Sequence, residues 1–137
     1  MKKTFFIAFS LILLSSGIVL AQTHTKTMSS SHTKDMLSFG GNLNGSTVSI
    51  MQLIDYPVLL LSDKEEIVLN YEIKVTTEEN QSEKALKISG AKLASDAIDY
   101  LRELAGEKGK IVIQNVTTQK GTVTFETPYS IELNFNQ

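Results

Sequence analysis

Between residues 67 and 76 the side chains alternate. Ile67, Leu69, Tyr71, Ile73 and Val75 interleave with Val68, Asn70, Glu72, Lys74 and Thr76. A period of two describes a β-strand with one buried and one mostly wet face. The first set is expected to point inward. Further on the period changes: Leu93, Ala97, Leu101, Leu104 and Ala105 fall on one helical stripe, with Ile98 at its edge. Asp96, Asp99, Arg102 and Glu103 lie elsewhere on the wheel. The pattern predicts an amphipathic helix over about 94–105, capped by Ser95 or Ser89 and stopped by Gly106 or Gly109.

Shorter signals fill the rest. Residues 58–61 are an apolar run, and 62–66 read as a turn, so this run and the strand after it are candidates for a hairpin. A short strand is expected around 85–88. Residues 110–117 carry apolar side chains on both faces, Ile111 and Ile113 against Val112 and Val116, which suggests an interior strand. After a turn at 119–121, residues 122–126 place Val123 and Phe125 on one side. Beyond Pro128, residues 130–134 alternate, with Ile131, Leu133 and Phe135 inward. Upstream, 37–43 is a strand weakened by Gly40 and Gly41. Ser46 or Thr47 is expected to cap a short helix in which Ile50, Leu53 and Ile54 share a face, ending before Pro57. Strands, a central helix and strands again describe a small, mainly antiparallel α+β domain over 37–137.

Two segments precede that domain. Lys2 and Lys3, an apolar stretch over 5–14, and small residues at 19 and 21 read as a signal peptide over 1–21, cut before Gln22. The apolar stretch is shorter than the roughly 20 residues of a spanning helix. Residues 22–36 hold only Met28 and Met36 as apolar side chains, and seven of the fifteen are serine or threonine, which predicts a flexible polar tether. Removing Lys2 and Lys3 leaves 11 basic against 15 acidic side chains. Such a chain is expected to be periplasmic or secreted, with no membrane span after cleavage and no nucleic-acid partner.

Little chemistry is legible. Zero cysteines among 137 residues exclude a disulfide framework and a thiolate metal site. Both histidines, His24 and His32, fall in the tether, so the domain has none for a nucleophilic triad. Asp96, Asp99 and Glu103 read as a solvated helix face. Asp63, Glu65 and Glu66 lie in a turn without the alternating oxygen ligands and central glycine of a calcium loop. Three triplets, beginning at Asn44, Asn80 and Asn115, match the N-glycosylation pattern. Tyr100 and Tyr129 are the aromatics expected at the surface. No constellation for a hydrolase or lectin stands out. No catalytic, cofactor-binding or metal-binding residue is assigned, and the expectation is a protein that is not an enzyme.

The order of features resembles a known family. It comprises the glycine-rich stretch 39–49, the alternating strand 67–75 and the segment Ile88-Ser89-Gly90-Ala91-Lys92-Leu93. The helix ending at Leu104, the strand 109–116 and the closing strand 129–135 complete it. Together they are similar to the C-terminal periplasmic domain of the GldM family, shaft proteins of gliding motility and type IX secretion. The resemblance covers about 37–136. It implies a β-sandwich-like fold with an inserted helix, possible homodimerisation, and a non-enzymatic role in binding a protein partner of the cell envelope. A departure from the family is expected: a single domain behind a cleaved leader, without the shaft's membrane helix and upstream domains. The alternative expectation is a secreted cargo or a small extracellular binding protein unrelated to secretion.

Overall fold

A computed structural model describes residues 27–29, 37–127 and 130–136. The expected signal peptide, most of the expected tether, Pro128 and Tyr129 lie outside the described residues. The fold is α+β. Its strands are β1 (Thr27–Ser29), β2 (Leu37–Phe39), β3 (Thr47–Ser49), β4 (Leu59–Leu61), β5 (Ile67–Thr77), β6 (Lys84–Ser89), β7 (Gly109–Lys120), β8 (Val123–Glu126) and β9 (Ile131–Asn136). The helices are α1 (Ile50–Asp55) and α2 (Ser95–Glu103).

The long strand β7 organises the larger sheet. On one side it pairs antiparallel with β5, which in turn pairs with β6. On the other side its first half pairs with β9 and its second half with β8, so the sheet forks. Beyond the fork, β3 lies parallel to β9 and β1 parallel to β8. β1 falls inside the stretch expected as a tether; its backbone instead meets the edge that β8 leaves open. β4 does not form the hairpin with β5. It pairs antiparallel with β2 in a separate two-stranded sheet, because 62–66 turns the chain away from its nearest neighbour in sequence.

One face of the large sheet is buried. Leu86, Ile73, Ile113 and Ile131 form one cross-strand row, and Val75, Ile111 and Leu133 the next. These side chains join Leu37, Phe39, Leu53, Leu59, Ala97 and Leu101 in a single core. Burying each large aliphatic contributes about 1.5–3 kcal/mol relative to exposure. Phe39 meets Tyr71 edge-on at 6.4 Å between ring centres. A third row joins Thr77, Gly109 and Phe135. A Cβ on Gly109 would stand 2.6 Å from the Phe135 ring and 2.2 Å from the Thr76 carbonyl oxygen, so only glycine fits there.

The helices follow expectation with shifted caps. α2 buries Ala97 and Leu101, flanked by buried Leu93 and Leu104, while Ala105 stays exposed past the helix end. Neither serine caps it: the N-cap is Ala94, and Asp96 supplies the negative charge that favours a helix start. α1 is capped by Ser49, not Ser46 or Thr47, through a capping box with Gln52. The displacement follows from β3, which claims residues 47–49 for pairing with β9.

The most consequential departure lies in β5. Its register against β7 slips by one residue between Val68 and Asn70 and slips back between Asn70 and Glu72. The first slip places an extra residue at Leu69 of β5. The second places an extra residue on β7, where Asn115 adopts φ of 52°. Asparagine tolerates this left-handed conformation better than most residues. Each bulge reverses the alternation of its strand. Val68, expected outward, is buried; Ile67 and Leu69, expected inward, are 65% and 36% exposed. On β7, Val116 and Thr118 take over the inner face from Ile113. Two side chains predicted for opposite faces, Ile111 and Val116, therefore share one.

A candidate ligand site at the paired bulges

The outer face of the large sheet is polar, and most of its charges are matched. Gln114 donates to Glu72 at 2.8 Å, Lys74 meets Glu83 at 2.7 Å, and Lys110 meets Glu132 at 3.3 Å. The Glu83 hydrogen bond holds the Lys74 ammonium above the usual lysine range. At the sheet edge, Lys84 pairs opposite Val75 and lays its ammonium 3.6 Å from the centre of the Tyr100 ring. A lysine turned to the covered side of an edge strand disfavours the docking of another strand. Tyr100, expected at the surface, is thereby half-buried; among the described residues Tyr56 is the exposed tyrosine, at 50%.

The three turn carboxylates of 63–66 diverge. Lys120 lies 2.8 Å from Asp63 and 3.1 Å from Glu65, and these bonds raise its pKa above the ordinary lysine value. Glu66 turns inward, where its carboxylate accepts a hydrogen bond from the buried Thr118 hydroxyl. Asp99 is matched by Arg102 at 2.8 Å. Among the described residues, no group of three or more histidine, cysteine or acidic side chains converges as a metal cluster. No helix among them is long and apolar enough to cross a membrane.

The bulges create a different arrangement. Asn70 of β5, Thr117 of β7 and Glu126 of β8 stand opposite one another in a row across three strands. Asn115, re-aimed by its bulge, and Thr127, at the end of β8, complete the lining of a cavity of about 280 Å³. Thr127 donates its backbone N–H to Val116 at 2.9 Å, which pins it against β7. Its side chain is buried, yet its hydroxyl has no hydrogen-bond partner. Among the described residues, the side chains of Asn70, Asn115, Thr117 and Glu126 also make no hydrogen bond or ion pair. Asn70, Asn115 and Glu126 are exposed and Thr117 half-buried, so the buried Thr127 hydroxyl is the one polar group here whose lack of a partner carries a cost.

A larger cleft of about 570 Å³ lies at the opposite end of β5, lined in part by Thr77, Gly109, Lys110 and Asn134. Its buried hydroxyl, Thr77, is bonded to Asn80, and Lys110 is paired with Glu132. The smaller cavity is the stronger candidate because its buried polar group is unspent.

The sequence reading assigned no site residue, and none of these five was singled out for binding. They are spread over 70, 115–117 and 126–127, and only the register of β5, β7 and β8 brings them together. The one available signal was Asn115, a poor strand former inside an otherwise strand-like run. No protein-family model and no curated protein matches this chain.

Proposed function

We propose that the protein is an exported, non-enzymatic binding module of the cell envelope that recognises a protein partner through the outer face of its sheet. The observation that carries this reading is the exposure of Ile67 and Leu69. The β5 bulge holds these two aliphatic side chains in water on a face that is otherwise polar. Apolar side chains set within a polar surround are the usual core of a protein contact. The β6 edge is guarded by Lys84, which favours face-on contact over strand addition. The resemblance to the terminal domain of the secretion shaft supports a partner among the envelope subunits of such a system.

The test is affinity capture from the protein's own envelope fraction, with wild type beside an Ile67→Ser/Leu69→Ser double variant. Recovery of secretion-ring or motor subunits by wild type, lost in the double variant, supports the proposal. Equal recovery by both variants, or accumulation of the protein only in the culture medium without those subunits, overturns it.

A further inference from the structure

The geometry points to a second binding function: the cavity at the paired bulges holds a neutral, hydroxyl-rich ligand of the size of one sugar ring, such as a glycan terminus. The donor and acceptor set is the first reason. Glu126 only accepts, Asn70 and Asn115 each both donate and accept through their carboxamides, and Thr117 and Thr127 do both through one atom. A ring of vicinal hydroxyls, each giving one proton and offering lone pairs, can satisfy all five.

Charge narrows the choice. Among the described residues no lysine or arginine lines the cavity, and the one carboxylate among them, Glu126, repels phosphates, sulfates and carboxylates. A lone carboxylate also makes a poor calcium site, since affinity there rises with the number of charged ligands. Size points the same way. About 280 Å³ is the space of roughly nine waters, far more than a dehydrated cation needs and near the lower limit of small-ligand pockets.

The buried Thr127 hydroxyl supplies the independent sign. Leaving such a group without a partner is costly, and here the residue is held by its own backbone bond to β7. The oxygen itself is covered, so a ligand hydroxyl recovers that cost only as the Thr127 side chain turns toward the cavity it lines. This function is separate from protein capture by Ile67 and Leu69, and the two are distinguished by different variants.

The experiment is an amide-resolved NMR titration of the isotope-labelled full chain. The ligands are free glucose, mannose, galactose and N-acetylglucosamine, each to tens of millimolar, with calcium chloride as a parallel arm. The inference predicts saturable shifts for at least one sugar, centred on the amides of Asn70, Asn115, Thr117, Glu126 and Thr127. Glu126→Ala and Asn70→Ala, both at exposed positions, should each weaken that binding by about tenfold or more. Ile67→Ser should leave it unchanged while reducing protein capture. The inference is overturned if none of the four sugars saturates, if calcium alone moves those amides, or if both alanine variants bind sugar like wild type.

Discussion

Replacing Gly109 by alanine tests how tightly the two halves of the sheet are drawn together. A Cβ there would stand 2.2 Å from the Thr76 carbonyl oxygen, 2.6 Å from Phe135 Cζ and 2.9 Å from Thr77 Cα. Carbon–oxygen contacts between strands settle at about 3.3–3.6 Å, so roughly 1 Å of separation must be found between β5 and β7. Two of the three obstructing atoms are backbone, held by the pairing of Thr76 with Lys110 and of Thr77 with Gly109. The Phe135 ring is almost fully buried. Inserting a methyl group into such packing costs about 1–3 kcal/mol and sometimes more, while alanine recovers only about 0.5–1 kcal/mol through the unfolded chain. A net loss of at least about 2 kcal/mol is expected here because the backbone is obstructed on two counts. In urea, with a slope of about 1–3 kcal/mol/M, the unfolding midpoint should fall by about 0.7 M or more. Gly121→Ala is the control: its Cβ meets open space, and its φ of 60° leaves only a conformational cost of about 1–2 kcal/mol. A Gly109→Ala midpoint at or above that of Gly121→Ala would refute the packing described here.

Two further outcomes follow from buried polar groups. Burial raises the Tyr71 phenol above its ordinary value, and its hydroxyl donates to the Ala91 carbonyl at 3.2 Å. The neutral phenol is therefore favoured in the folded state, so its contribution is whole below about pH 10 and is lost as pH rises beyond. Lys120, also raised, contributes in the same direction. Urea midpoints should decline above pH 10, and Tyr71→Phe should be about 1 kcal/mol less stable at neutral pH yet decline less steeply; an equal slope in both proteins would contradict this. Thr118→Val removes the hydroxyl that Glu66 accepts from, and should lower stability by about 1–3 kcal/mol at neutral pH. A midpoint equal to wild type would show that this buried bond contributes nothing.

The sequence carried the elements better than their arrangement. The stripe of Leu93, Ala97, Leu101 and Leu104 located α2, and the alternation of Ile131, Leu133 and Phe135 located β9 with the correct face inward, because both patterns run unbroken. The alternation in β5 misled at Ile67 and Leu69. Periodicity assumes one residue per step, and an extra residue at Leu69 reverses every face before it. Val116 misled in the same way on β7, with Asn115 as the hidden insertion, whereas Val112, before the bulge, faces opposite to Ile111 and Ile113 as read. The partner of β4 was missed because nearness in sequence favoured β5, while the glycine-linked strand β2 closed on β4 from the other side. The candidate site was illegible for a related reason. Asn70, Thr117 and Glu126 are ordinary polar residues until the register aligns them, and an unpartnered hydroxyl such as that of Thr127 exists only in a packed structure.

The central claim is that the bulged end of the outer sheet face, not the sheet edge, is where this protein meets a partner. Site-specific photo-crosslinking in intact source cells tests it most directly, with a benzoylphenylalanine at position 67, at position 69, or at position 87. Lys87 lies in the edge strand β6 opposite Glu72, on the side of β5 away from β7. The account predicts a discrete crosslinked envelope protein from positions 67 and 69 and none from 87. A crosslink formed only from 87 would contradict it.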